Sequence, residues 1–588
     1  MDIIDPLSNI NIIYIYVYIY IYKFDAPALY GWPLAIAAKW VDWLPYVPYK
    51  LAKDARLFKL RDHNLVEMPT LLPIPHDHKH SFSRNHNENN ISLVAQLKYE
   101  NKSNSPFYSF WDYHIAYNEQ KMTPTKVAQL LLKILEESNS KYHWMRSINP
   151  KKVLEEAAAS TERYKQGNPI SPLDGVFVSI KEEMNVQGFE TKGGTCFIND
   201  GKSAEYDAEV VQRLRNAGAI ILGHVVMQEL GWDVFTVNPN TGTPLNPYDL
   251  VSSCGGSSGG SSATVAAGLV PISIGADAGG SIRIPSSFCG LYGLKTTFGR
   301  LSSYGGLTLT QTLDVYGPIA ATADDLAMTY AITAGPDSKD PNTLYQPPVS
   351  LTGYDLTENL KGLTIATIPQ WESKIGEPEI LDHIRRFQKH FEYLGAKIVE
   401  IELPSIDLVG NAHSITICTE MNTFAQQELL KTNTSKSKYT PSTQIMMSIA
   451  NQLTATDYYK AQQVRTQVID QINRIFKQDK IDLFLLPTTA ITSPELPQNA
   501  FRYGMSDTVK TIHTMTYATL ANFTGLPALS VPAGFHHNKP VGMQLIGEWW
   551  NEALLLRMAK VCEKTPGIER KHPEKQWFGQ HVLDNASL

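Results

Sequence analysis

The sequence predicts an α/β protein built on a mostly parallel or mixed sheet. From about residue 123, helical patterns alternate with short apolar strand patterns, the order that layers helices over a sheet. The alternation resumes late in the chain at "GLTIATIP" and "IDLFLLPTT". At 588 residues, with 43% hydrophobic and 19% charged residues, the chain can bury a large core.

Taken in order, the first element is "IIYIYVYIYIYK", residues 12 to 23. It is apolar but too short to span a bilayer, and acids rather than lysines precede it, unlike a signal peptide. A TA dinucleotide tract reads as alternating Ile and Tyr codons, so residues 1–25 are expected to be low-complexity and poorly specified. Residues 26–62 are apolar and aromatic. Trp32, Ile36, Trp40, Trp43 and Leu44 fall on one helical stripe. Tryptophan favours the membrane–water boundary, which makes this an interfacial helix, or else the stripe packs on the main body. Residues 63–105 read as a polar linker. Its His76, His78, His80 and His86 have no fixed ligand spacing and no flanking cysteine, so a metal site is not expected there.

Regular structure follows. "TPTKVAQLLLKILEE" is a helix with Pro124 in its first turn, and "NPKKVLEEAAASTERYKQG" is a second, stopped at Gly167. "GVFVSIK" (175 to 181) alternates as a strand, with Val176, Val178 and Ile180 on one face and Phe177, Ser179 and Lys181 on the other. "AEVVQRLRNAGAIILGHVV" gives a helix, a glycine stop and a buried strand. No internal repeat is visible.

Composition excludes some functions. A net charge of −6 argues against nucleic acid as a partner. Five cysteines (Cys196, Cys254, Cys289, Cys418 and Cys562) form no CxxC pair, which suits a reducing compartment. No apolar run reaches 18 residues, so a membrane-crossing helix is not expected. The expected location is intracellular, cytoplasmic or peripheral on an internal membrane, and not secreted.

Two glycine–serine clusters carry the chemistry: "CGGSSGGSS" (254 to 262) and "GADAGGSIRIP" (275 to 285). Between them "ATVAAGLVPISIGADA" suits a buried helix and strand that bring both to one surface. Gly255 to Gly259 spells G-x-S-x-G, but a nucleophile elbow needs a strand before it, and "NPYDLVSS" is a polar turn. Neither run ends in Gly-Lys-Ser/Thr, so a phosphate loop is excluded.

The stretch "GGSSGGSSATVAAGLVPISIGADAGGSIRIPSSFCGLYGLKTTFGRLS" resembles the amidase signature family. So do "PLDGVFVSIKE", "LLPTTAITSP" and "NFTGLPALSVPAGF…PVGMQLIG", over roughly residues 170 to 560. "APALYGWPLAIAAKW" and "QGNPISPLDGVFVSIK" further resemble the plant-type branch that cleaves fatty acid amides. The resemblance implies a central twisted mixed sheet covered by helices on both faces, an N-terminal helical extension, and a catalytic domain over residues 106–588. It implies a Ser–Ser–Lys triad of nucleophile Ser281, bridging Ser257 and base Lys181, with a cis peptide at Ser257. Backbone amides of Ala278, Gly279, Gly280 and Ser281 would form the oxyanion hole, and Ser258, Asp277 and Arg283 would support it. No metal or organic cofactor is implied. The implied substrates are fatty acid amides such as N-acylethanolamines, reached through peripheral membrane contact, and a homodimer is open. A short-chain amidase and the glutaminase chain of a glutamine-dependent tRNA amidotransferase are the alternatives. Around "LGHVVMQELGW" this chain has His224, Val225 and Val226 where related sequences commonly have K-T-N, in a segment that borders the substrate entrance in the family.

Such a relay has a physical requirement. A lysine accepts a proton only when neutral, and its ordinary pKa is about 10.4. Burial away from carboxylates would favour the neutral amine. Alternation turns Glu182 away from Lys181 but leaves Glu183 on the same side; a direct Glu183 contact would favour the ammonium and spoil the relay, so the expectation is that Glu183 and Lys181 do not touch.

Overall fold

The structure of the protein, a computed structural model, describes residues 28–44, 46–75, 91–94, 97, 105–403 and 405–583. The Ile/Tyr run and the four linker histidines lie outside the described residues.

An eleven-stranded mixed sheet organises them. In chain order its strands are β1 (Met145–Ile148), β2 (Phe177–Lys181), β3 (Ile220–Val225), β4 (Ile272–Ala276), β5 (Tyr292–Lys295) and β6 (Tyr316–Ala320). They continue with β7 (Thr364–Thr367), β8 (Lys397–Glu400), β9 (Leu483–Pro487), β10 (Ala528–His536) and β11 (Lys539–Gly547). Across the sheet the order is β1-β3-β2-β4-β6-β5-β10-β11-β9-β7-β8. Two parallel groups, β3-β2-β4 and β9-β7-β8, flank antiparallel pairings in the middle.

Both faces of the sheet are covered. Along β9, Leu483 and Leu485 join one apolar core while Phe484 and Leu486 join a second. Alternate side chains of one strand thus feed separate layers of helices. The same burial erases the surface alternation expected of "GVFVSIK", since every residue of β2 is buried. Its Ser179 bonds sideways instead, to Ser273 of β4 at 2.8 Å and to Thr264 at 3.0 Å.

The predicted helices form where their end signals stand. Pro124–Tyr142 is capped by Thr123, whose side chain accepts from Lys126 N at 3.2 Å. Pro150–Lys165 ends before Gly167, which takes φ +69°. His224 of β3 is wholly buried, with its Nε2 2.8 Å from the Met184 carbonyl oxygen. Burial pushes it down to about 4, so it is a neutral core histidine set back from the cavity described below.

The aromatic stripe faces outward. Helices Trp32–Trp40 and Tyr46–Asp54 pack on helix Pro441–Ala450 through Leu34, Ala37, Ala38 and Ala52. The opposite side leaves Trp32 60% and Trp43 77% exposed, with Trp40 and Tyr46 exposed beside them. The reading in which the tryptophans pack on the main body is therefore corrected: the small and aliphatic residues between them take that role.

Candidate active site

Three chain segments meet at one edge of the sheet. β2 and β4 are parallel neighbours, so their C-terminal ends emerge side by side. The first delivers Lys181 and the second the turn from Asp277 to Ser281. Helix Gly259–Ala266 packs against both strands and begins just after Ser257 and Ser258.

Lys181 Nζ lies 2.9 Å from Ser257 Oγ and 3.4 Å from the Ala276 carbonyl oxygen. Ser258 Oγ donates to the same carbonyl at 3.3 Å. The Gly256–Ser257 peptide is cis. Thr236 Oγ1 donates to the Gly255 carbonyl at 2.8 Å, and Gln228 N donates to that of Ser257 at 3.1 Å, so the loop is held from both sides. Gly255 takes φ +79°, and a Cβ there would stand 2.6 Å from Pro285 Cα, which explains glycine at this position. Lys181, Ser257 and Ser281 line one cavity, together with Ala278 and Gly279.

The turn that carries Ser281 is built on a buried ion pair. Arg283 Nε and Nη2 each donate to Asp277 at 3.0 Å, and both side chains are wholly buried. Burial alone would raise Asp277, but the Arg283 charge and hydrogen bonds outweigh it and hold the carboxyl well below its usual range. Asn522 Nδ2 donates to Asp277 Oδ1 at 2.8 Å and to its backbone carbonyl at 2.9 Å. Arg283 also donates to Asn522 Oδ1, to Gln544 Oε1 and to the Ala518 carbonyl. The planar fork of donors thus fills the cage in several directions at once, which a lysine could not reproduce.

Asp277 takes up part of the expected oxyanion hole. Its Oδ1 receives the Gly280 N–H at 2.7 Å, and its Oδ2 receives that of Ile282 at 3.1 Å. Gly280 therefore departs from expectation: its amide is engaged and it does not line the cavity. Its glycine is needed for φ +110° and for space, because a Cβ would meet Ile284 at 2.5 Å. Ala278, Gly279 and Ser281 remain as the amides that Asp277 does not occupy.

One expectation is overturned. Lys181 Nζ lies 2.8 Å from Glu183 Oε2, with the two side chains 2% and 1% exposed. The reason is local. β2 stops at Lys181, and the Glu183 N–H donates back to the Lys181 carbonyl at 2.7 Å. This tight turn folds the Glu183 carboxyl over the amine of its near neighbour. Glu182 does point away, pairing with Arg146 at 3.3 Å and accepting from Gly194 N at 3.1 Å. Burial pushes Glu182 up to about 7 against the opposing pull of Arg146.

Sequence reasoning assigned no role to four residues that shape the site. Asn522 and Gln544 cage Arg283. Asp314 lines the cavity beside Glu183, and His413 bonds the Ala278 carbonyl. Asn522 and Gln544 stand inside the quoted "NFTGLPALSVP" and "PVGMQLIG", which was the available signal.

Comparison with known proteins agrees with this architecture. The profile of the family described as Amidase matches residues 126–556, and the chain belongs to the amidase signature family of amide hydrolases. The chain is similar to the fatty acid amide hydrolase of Oryza sativa subsp. indica, 36% identical over 484 residues that cover 80% of this chain and 78% of the relative. It is also similar to a chain of the glutamyl-tRNA(Gln) amidotransferase of Alkaliphilus metalliredigens, 31% identical over 79% of this chain and 98% of the relative. Among solved structures, a chain from a vestigial complex bearing on the origins of an s-triazine catabolic enzyme superposes with TM-score 0.72 and 28% identity. That match covers 79% of this chain and 99% of the other.

Proposed function

We propose that the protein hydrolyses long-chain fatty acid amides, such as N-acylethanolamines, through an acyl-enzyme on Ser281. The Lys181–Ser257 contact of 2.9 Å in a cavity shared with Ser281 is the observation that carries the chemistry. Ser281 Oγ attacks the amide carbon while its proton passes to Ser257 and the Ser257 proton passes to Lys181 Nζ. The oxyanion forms against the amides of Ala278, Gly279 and Ser281, where one well-placed donor contributes about 3–4 kcal/mol. As the intermediate collapses, the proton returns through Ser257 to the departing amine, leaving a Ser281 ester and a free amine. Water takes the amine's place, gives up its proton by the same route, and releases the fatty acid.

The lining of the cavity supports a long acyl chain. Beyond the serines its wall is made by Leu309, Ile417, Met421, Met446, Ile449 and Met515. Unbranched, polarizable methionines adapt to a flexible alkyl chain. Ala55 and Leu57 also line it, directly after the helices that expose the tryptophans. Helix Pro441–Ala450 joins the two features, since it carries those helices and contributes Met446 and Ile449 to the wall. The aromatic surface would thus rest in a membrane interface and admit a lipid amide close to the cavity. Among the described residues no helix is long and apolar enough to cross a membrane.

A hydrolysis panel of amides with increasing acyl length tests this reading. Rising kcat/KM with chain length supports it. Activity confined to acetamide-sized substrates would favour a short-chain amidase, and glutaminase activity that appears only with partner proteins would favour an amidotransferase.

A further inference from the structure

In the relay proposed above Ser257 returns its proton to the departing amine, so whatever borders Ser257 borders the amine's place. The segment that follows β3 does so. Gln228 N donates to the Ser257 carbonyl, and a turn over Glu229–Gly231 lays Gly231 against the serine, where a Cβ would stand 3.2 Å from Ser257 Oγ. Gly231 takes φ +73°, and its N–H donates back to the Gln228 carbonyl at 3.0 Å. Gln228, Gly231, Trp232 and Asp233 all line the cavity.

Two side chains of this turn carry buried polar atoms without a bond. Gln228 is 1% exposed and Trp232 9% exposed, yet among the described residues neither Gln228 Oε1 nor Trp232 Nε1 has a hydrogen-bond partner. Buried polar atoms are as a rule paired, because leaving water without a new bond is unfavourable. The Trp232 ring sits in the apolar cluster of Leu309 and Met421, whose side chains offer its indole N–H no oxygen. Asp233 differs, since its Oδ1 accepts from Val234 N at 2.6 Å and from Thr511 Oγ1 at 3.2 Å.

We propose, on the acyl-enzyme reading above, that Gln228 and Trp232 form a subsite that reads the amine half of the substrate and selects an amine bearing a hydroxyl group. An indole N–H only donates and a side-chain amide oxygen only accepts, so the pair matches a group that does both. A hydroxyl donates to Gln228 Oε1 and accepts from Trp232 Nε1. A methyl in its place leaves both atoms unpaired, and an ammonium leaves the indole N–H unpaired. The ammonia released from a primary amide carries no second polar group at all. Burial pushes Asp233 up to about 7 against the pull of its two hydrogen bonds, and among the described residues no cation pairs with it. It is therefore not a fixed anion that demands a cationic amine.

The test compares kcat/KM for three amides of one long-chain acid: the hydroxyethyl amide, the propyl amide, which puts a methyl where the hydroxyl stands, and the aminoethyl amide. The wild type is expected to prefer the hydroxyethyl over the propyl amide by about tenfold or more. Trp232→Phe keeps an aromatic ring and removes the N–H; Gln228→Met keeps the length and removes the oxygen. Each should shrink that ratio about threefold or more, and a general loss of activity or of folded protein does not move a ratio. A wild-type ratio near one overturns the subsite. So does a ratio unchanged in either variant, the mark of a merely structural role, or a preference for the aminoethyl amide, which would show a cation site at Asp233. If one variant fails to fold, the other decides alone. These failures leave the acyl-length panel as it stands, whereas cleavage of none of the three amides defeats the acyl-enzyme reading and the subsite with it.

Discussion

His413 Nε2 sits 2.8 Å from the carbonyl oxygen of Ala278, so a histidine 135 residues downstream steadies the turn that presents Ser281. It lies in helix Ile406–Thr432, is wholly buried, and is pushed down to about 4 by burial, with the Ala278 bond opposing. The ring is therefore neutral and donates its Nε2–H to the carbonyl.

His413→Leu leaves that carbonyl without its donor and costs about 1–3 kcal/mol at pH 7. The cost depends on pH in a defined direction. Between about 6.5 and about 4 the unfolded chain binds a proton at this histidine that the folded chain does not, so wild-type stability falls as pH falls. The variant lacks this slope. Urea unfolding should show the gap between the two closing by up to about 1.4 kcal/mol per pH unit in that window. A constant gap would contradict the buried neutral ring.

Arg283→Met breaks a fully buried pair and leaves Asp277 charged without a partner, at a cost of about 3–5 kcal/mol. Asp277→Asn should also destabilise at pH 7. Because the folded carboxyl is held below its usual range, its contribution is present above the unfolded value of about 3.9 and is lost as pH falls through the lower folded value. Chemical denaturation at pH 7 and pH 3 checks this: the deficit of Asp277→Asn is expected to shrink at the lower pH.

Most of the fold, and the meeting of Lys181, Ser257 and Ser281 at one cavity, was legible in the sequence, and the physical reason differs between them. Lys181 ends a strand, and Ser257 and Ser281 each stand two residues before a helix, so strand and helix signals brought the three segments together. The Glu183 contact was missed because the relay's demand for an amine free of carboxylates outweighed the alternation, which had left Glu183 on the Lys181 side, and the turn after Lys181 brings the two together. Asn522, Gln544 and His413 reach the site from elements over 100 residues away, and no local period encodes such a meeting. The aromatic stripe was visible as a pattern, but its direction depended on Leu34, Ala37 and Ala38 packing on the opposite side.

Met421→Trp fills part of the apolar wall without touching the serines. It should lower kcat/KM for a long-chain amide by tenfold or more while leaving a short-chain amide within about twofold, since each excluded methylene forfeits about 0.8 kcal/mol. Equal losses on both would show that this wall does not hold the acyl chain.

Trp32→Ala combined with Trp43→Ala removes the two most exposed tryptophans of the aromatic surface. Sedimentation with phospholipid vesicles should show reduced binding, with hydrolysis of a detergent-dispersed substrate retained. Unchanged sedimentation would remove the membrane role from this surface.

The most direct measurement is mass spectrometry of the protein quenched during turnover of a long-chain amide. The account predicts the acyl mass on the peptide containing Ser281, absent in Ser281→Ala and slowed by about 10²–10⁴ in Lys181→Ala. An acyl group on another residue, or turnover at the wild-type rate without Lys181, would contradict it.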